Sequence, residues 1–306
     1  MGAGALWSIT KHALAGWWND NVPRLGASLS YYTLFALAPI LIIAIAIAGF
    51  FFGPEAVRGE VVAQIRGLLG EEGARAVQAM LEGASKPSDS RVATAVGLFT
   101  FFLGATGAFL ELQTALNGIW RVKPKESGKW WKELLIQRLV SFGLVIAVGF
   151  LLLVSLVVSA GLAALNRYMG TMFPAMAEVW NAVNLLVSFG VVTLLFALIY
   201  RVLPDVDLTW RDVWLGAVVT AGLFTVGKSL IGLYLGTSGV ASAYGAAGSV
   251  LVLLIWVYYS AQIVLLGAEF TRAWVEWEGA HPRPMPHAKK DPAPAATGGK
   301  AGEKGR

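Results

Sequence analysis

Residues 249–270 read SVLVLLIWVYYSAQIVLLGAEF, a run of apolar and uncharged positions with a single charge, Glu269, next to its end. At about 1.5 Å per residue a helix of this length crosses a bilayer core about 30 Å thick. Backbone polar groups in lipid have to be satisfied within the segment, so the run is read as a helix. Working outward, comparable segments fall at 29–52, 92–118, 139–164, 182–202 and 213–235. The fold class expected is therefore all-α, a polytopic membrane protein with six transmembrane helices. Composition agrees: 56% of the 306 residues are hydrophobic and 14% charged, against about a quarter charged in soluble domains. A soluble enzyme is excluded on that balance.

The absence of cysteine removes disulfides, thiol nucleophiles, zinc-thiolate sites and iron–sulfur clusters. His12, His281 and His287 all lie outside the hydrophobic runs. They give a metal or catalytic centre almost nothing to work with, so no metal, cofactor or catalytic residue is expected.

Around the six helices the chain divides into three parts. Residues 1–28 form an interfacial amphipathic segment, with Leu6, Ile9, Ala13, Leu14, Trp17 and Trp18 near helical spacing. Residues 29–279 form the membrane domain, with a long connection at 53–91 that alternates apolar and charged positions as one or two surface helices would. Residues 280–306, rich in Pro, Gly, Ala and Lys, are expected to be a disordered basic tail. With the amino terminus inside, inner segments carry 17 Lys and Arg and outer segments 6. Both termini are accordingly expected in the cytoplasm. Trp120, Trp130, Trp131, Trp210, Trp214, Trp274 and Trp277 fall near the inner helix ends, as an aromatic belt requires.

Ionisable side chains are expensive in lipid, and two lie well inside predicted spans: Glu111 in 92–118 and Lys228 in 213–235. Thr100, Gly104, Gly107, Glu111, Thr114 and Gly118 share one helix face, and Ala217, Ala221, Thr225, Lys228, Gly232 and Gly236 share another. Each stripe suits either a tight helix–helix seam or a polar crevice. As a crevice, the substrate path would consist of Glu111, Lys228, Thr100, Thr114, Thr225 and Asn117, with Gly104, Gly107, Gly232 and Gly236 packing the helices. Counted along the helices, Glu111 lies about 15 Å and Lys228 about 24 Å from the inner boundary, so a direct pair and an outward-snorkelling lysine both stay open. Pro39 should kink the first span. Ser28, Ser30, Tyr31, Tyr32 and Thr33 before it are polar enough to line a cavity. The uncharged stretch GTSGVASAYGAAGS, 236–249, is either a loop or a segment dipping into the membrane. In YRVLPDVDLTWRD, 200–212, a tight turn with surface ion pairs and a helix cap explains the acids more simply than a metal site. Gly222, Gly227, Lys228 and Ser229 match a phosphate-binding loop pattern only by chance, since no strand precedes them.

The stretches ASLSYYTLFALAPILI (27–42), GATGAFLELQTALNGIWRV (104–122), YRVLPD with TWRDVWLGA (200–217), and GKSLIGLYLG with YGAAGSVLVLLIWVYYSAQIVLLGAEFT (227–271) resemble the YihY/virulence factor BrkB family of bacterial inner-membrane proteins. The resemblance spans about 15 to 275 and implies a compact six-helix fold with cytoplasmic termini in the inner membrane. Members of that family have carried the label ribonuclease BN, but phosphodiester hydrolysis with metal help needs clustered His and carboxylate ligands that this chain lacks. The expected function is a non-enzymatic transporter of a lipid or amphiphile, without an ATPase module. Its partners would be membrane lipids, with no nucleic acid. The alternatives are an interaction or scaffold protein holding an envelope partner or a second copy of itself, and an ion or small-solute carrier.

Overall fold

The computed structural model describes residues 3–85, 107–125, 177–237, 239, 243–244 and 247–291. Helix α1 runs Ala3–Asn19, α2 Val22–Phe52 and α3 Pro54–Ser85; α4 is described over 107–119, and α5 runs Ala177–Val202, α6 Trp210–Thr237 and α7 Gly248–Trp277. Strands β1, Val122–Pro124, and β2, Ala288–Lys290, pair antiparallel. Among the described helices, three are long and apolar enough to cross a membrane, over Leu185–Val202, Trp210–Leu235 and Gly248–Trp277. They coincide with the last three segments expected from sequence. The segment 139–164, the first part of 92–118, Thr100 and Gly104 lie outside the described residues.

The first boundary differs from the expected one. Helix α2 starts at Val22 rather than near residue 29, because the break is local: Asn21 takes a left-handed conformation at φ 53°. Pro23 then follows in the first turn, where a fixed φ and a missing donor cost nothing. Pro39 lies within α2, which continues as helix to Phe52. Gly53, at φ 86°, turns the chain into α3. Over its described residues the long connection is thus one continuous helix of 32 residues. It packs on α2 and α7, its Val57, Val77 and Leu81 burying against Ile45, Leu253 and Val257, while Arg66, Glu71, Arg75 and Glu82 stay exposed.

Helix α7 is the hub. Along one side it meets α6 through paired small residues: a Cβ at Gly267 would overlap Thr220 Oγ1 and Tyr200 Oη, and a Cβ at Gly216 would overlap Thr271 Oγ1. Each threonine hydroxyl donates back to a carbonyl of its own helix, Thr220 to Gly216 and Thr271 to Gly267, both at 2.7 Å. The polar atoms are therefore spent inside the seam, and Tyr200 Oη donates to the Val264 carbonyl at 2.7 Å. Ala217 and Ala221, two of the six residues in the stripe on this helix, are fully buried in the same core with Leu116, Ala197 and Leu265. Along its other side α7 receives α1, whose Ile9 and Ala13 bury against Phe270 and Ala273. Leu6, Trp7, Leu14 and Trp18 remain exposed on α1. One face of this helix is docked on protein.

The ends of α4, α5 and α7 and the starts of α2 and α6 meet at one end of the bundle, called here the basal end. The expectation of a tail disordered from Ala280 is corrected for 280–291. The backbone of Asp207 donates to the Arg283 carbonyl and that of Met285 to the Asp205 carbonyl, both at 3.0 Å. Lys123 forms an ion pair with Asp291 at 2.7 Å. The physical reason is Asp205, only 4% exposed. Its carboxylate accepts from Gln113 Nε2 at 3.1 Å and Asn117 Nδ2 at 2.8 Å, and His287 Nε2 lies 3.1 Å away. Composition indicates disorder only when a segment has nothing to satisfy; here it completes a buried acceptor. Residues 292–306 lie outside the described residues.

Two outcomes follow from this packing. Gly267→Ala forces Thr220 and Tyr200 apart and should lower stability by about 1–3 kcal/mol, read as a fall in thermal midpoint in detergent. Asp205→Ala orphans Gln113 and Asn117, at about 1–3 kcal/mol for each buried group left unpaired. Hydrogen exchange should show 283–291 losing protection in that variant, with the centre of α6 unchanged.

Candidate functional site

Glu111 is half-buried on α4, and its Oε1 accepts a hydrogen bond from Ser28 Oγ of α2 at 2.5 Å. Lys228 is exposed on α6, beside the exposed Val226 and Leu230. Among the described residues no ion pair joins Glu111 to Lys228 or to any other cation. The two expected stripes consequently do not meet through their charges. Thr114 is exposed and donates to its own helix at Leu110. Asn117 faces Asp205, Thr225 is half-buried, and Gly107 lies against the ring of Tyr32. Gly232 is half-buried and Gly236 lies in the last turn of α6.

Beside the Ser28–Glu111 bond opens an apolar cavity of about 400 Å³, open on one side. Its geometry follows from helical periodicity. On α2 the lining residues Leu29, Thr33, Leu37 and Leu41 recur every fourth position, one face of the helix over about 18 Å. On α7 the lining runs from Leu253 to Val264, about 16 Å. The cavity is therefore long and narrow, close to the roughly 15 Å depth of one leaflet's hydrocarbon. Helix α4 contributes Ala108, Phe109 and Leu112, which bracket Glu111 in sequence, and α3 contributes Val77 at the end near Leu253. One end is thus closed by α3, and Ser28 and Glu111 are the sequence neighbours of the lining residues Leu29 and Leu112. Thr33 and Ser260 are the hydroxyls among the lining residues. Trp256, also lining, has a buried indole N–H without a hydrogen-bond partner.

A second polar cluster ties the basal end together. Asp20, between α1 and α2, accepts from Arg121 Nη2 at 2.5 Å and from Arg272 Nη1 at 3.2 Å. Arg272 also donates to the Ile119 carbonyl at 2.8 Å and to Glu276 at 2.9 Å. Glu269, 2% exposed, sits 3.9 Å from that guanidinium, in room left by Gly16. Its Oε1 and the Arg121 Nε have no hydrogen-bond partner. The cluster joins three separate parts of the chain, and its groups are largely committed to one another.

In the 200–212 turn, Asp212 accepts from the backbone and the hydroxyl of Thr209 at 2.7 and 2.8 Å, the expected helix cap. Arg201 stacks on Trp210, 4.5 Å from the ring centre. Asp205 does not join a surface ion pair; it is the buried acceptor described above. Among the described residues no group of three or more His, Asp or Glu is placed to hold a metal ion. Sequence reasoning missed Asp205, His287, Asp20 and Glu269. The available signal for the first was Gln113 and Asn117, amides four apart on one face of an apolar helix, which require a buried partner.

A family model described as virulence factor BrkB matches residues 13–292. The matched span takes in β2, so the ordered segment after α7 belongs to the shared domain. The chain is 27% identical over 276 residues to a UPF0761 membrane protein of Tolumonas auensis, covering 85% of this chain and 83% of the relative. It is 30% identical over 275 residues to a UPF0761 membrane protein of Rhodospirillum centenum, covering 88% and 58%. A UPF0761 membrane protein of Ralstonia nicotianae is 27% identical over 265 residues, covering 85% and 57%. The chain thus spans less than two thirds of the length of these last two relatives. No solved structure matches it. With the family model covering nearly the whole chain and membrane-protein relatives along most of its length, this chain is an integral membrane protein that belongs to the virulence factor BrkB family.

Proposed function

We propose that the protein binds a lipid or amphiphile by its hydrocarbon chain and transports it, without catalysis and without an ATPase module. The observation that carries this reading is the elongated apolar cavity between α2, α4 and α7. Water gains little in this space of about 400 Å³, because so few polar groups line it. A hydrocarbon chain fills it with dispersion contacts. The open side gives such a chain a sideways entry from the bilayer.

The same reading puts the protein in the bacterial inner membrane with the basal end, and both termini, on the cytoplasmic side, on the strength of 17 basic residues against 6. The exposed tryptophans Trp210, Trp214 and Trp277 at that end suit a headgroup boundary. In this arrangement the path follows α2 and α7, and the small residues of α6 serve packing.

The test uses liposomes holding purified protein and tail-labelled fluorescent phospholipid, with an impermeant quencher reporting transbilayer exchange. Exchange above empty liposomes is expected for the native chain. Ala261→Trp and Ala108→Phe, which fill the cavity, should return it to the empty-liposome level while gel filtration and thermal melting show a folded protein. Exchange that survives both fillings but is lost in Lys228→Met would move the path to α6. No exchange from the folded native chain would sink the transport reading and favour a partner-holding role.

A further inference from the structure

We infer that the β1–β2 ribbon at the basal end is a binding surface for the phosphate headgroups of anionic lipids. The observation that carries this is the register of the two strands. Lys123 stands directly opposite Lys289 in the antiparallel ladder, where paired side chains share one face with Cβ atoms about 5 Å apart and like charges repel. Lys125 and Lys290, next to them in sequence, are exposed. Residues 122–125 and 288–291 thus hold four lysines and one acid, Asp291, and that carboxylate lies 2.7 Å from Lys123 Nζ. One carboxylate does not balance four ammonium groups. The flanking sequence keeps the same sign: 126–138 carries Lys129, Lys132 and Arg138 against Glu126 and Glu133, and 292–306 carries Lys300, Lys304 and Arg306 against Glu303. Asp207 is the nearby exposed acid, and it lies beside Arg283, before the ladder begins.

The ribbon also stands where lipid phosphates are. Strand β1 begins three residues after Ile119, where α4 ends, and three extended residues reach about 10 Å. The headgroup layer beside the hydrocarbon is itself about 5–8 Å deep, and a lysine stem adds reach of its own. The segment leading into β2 is bonded to 205–207, just before the exposed Trp210 at the start of α6. A phosphate presents several acceptor oxygens to ammonium groups from both strands, and lysine meets it as a point charge. Near an anionic leaflet each lysine strengthens attachment about fivefold. A zwitterionic headgroup brings a cation of its own to the ribbon and gains far less. This surface is separate from the apolar cavity, whose lining contains none of the four lysines.

The test counts retained lipid by native mass spectrometry, with protein in a neutral detergent mixed with equal amounts of phosphatidylglycerol and phosphatidylcholine. Phosphatidylglycerol should be retained about tenfold over phosphatidylcholine at low salt, and the ratio should fall as ammonium acetate is raised. Lys123→Gln, Lys125→Gln, Lys289→Gln and Lys290→Gln together should bring the two lipids within about twofold. Asp291→Asn releases Lys123 from its ion pair and should raise the ratio, whereas mere damage to the ribbon lowers it; hydrogen exchange over 283–291 reports whether the ribbon is intact. Arg66→Gln with Arg75→Gln, a loss of positive charge on α3, should leave the ratio unchanged. Equal retention by the native chain, a preference that persists in the fourfold variant, or a ratio that falls in Asp291→Asn overturns the inference. A preference abolished by millimolar inorganic phosphate, or tighter retention of a short RNA than of phosphatidylglycerol, overturns the lipid assignment as well. Ala261→Trp fills the cavity and should leave the ratio where it is, so the transport reading and this one fail separately.

Discussion

Lipid tails are as apolar as leucine, so nothing analogous to the hydrophobic effect in water presses two membrane helices together. What holds α6 to α7 is proximity. Gly216 and Gly267 leave room for a threonine from the opposite helix, and that threonine's hydroxyl is already bonded to its own backbone. The seam therefore gains dispersion contacts without burying an unmet polar group. Tyr200 extends the same arrangement to α5 through its bond to the Val264 carbonyl. Helices α1, α2 and α3 also pack on α7, and the apolar cavity lies where lining residues of α2, α4 and α7 come together.

Two different chemistries operate on the two sides of α7. Toward α6 it presents Gly267 and Thr271 at the close approach, and Val252, Ile255 and Tyr259 further along. Toward α2 it presents Leu253, Val257 and Ala261, which line the apolar cavity. Gly26 and Gly16 again allow close approach on this side, but the groups they accommodate, Gln262 and Glu269, are polar, and Gln262 accepts from the Trp17 indole at 3.1 Å. Near the basal end the contact of α2 with α7 is polar, through Gly26 and Gln262, and further along it is apolar, through Ile45, Leu253 and Val257.

Much of this was legible beforehand. Long apolar runs located the last three described spans, because backbone satisfaction in lipid leaves a helix as the answer. The Thr209–Asp212 cap followed from local rules. The polar group Ser28 to Thr33 suits a cavity lining, and of its polar members Thr33 does line one. What could not be read was pairing between distant segments. Glu111 and Lys228 looked complementary by charge, yet helix rotation turns Lys228 outward and gives Glu111 to Ser28. Asp205 looked like one more surface acid in an acid-rich turn, while its partners lie on α4 and after α7, some eighty residues away in each direction. The tail misled for the same reason: its composition describes a chain on its own, and its order comes from a site elsewhere.

The two ends of the described chain also meet the same late element. Helix α1 docks on α7, and the segment after α7 supplies both β2 and the histidine beside Asp205. During synthesis, α1 must then wait at the membrane surface with Ile9 and Ala13 uncovered until the last helix is inserted. Strand β1 and the Asp205 carboxylate stay incomplete until residues 283–291 have emerged. Such long-range closures are slow to form. The basal end is thus the last part of the molecule to mature, and a ribosome stalled anywhere before the tail would leave a bundle with its helices threaded and its base still open.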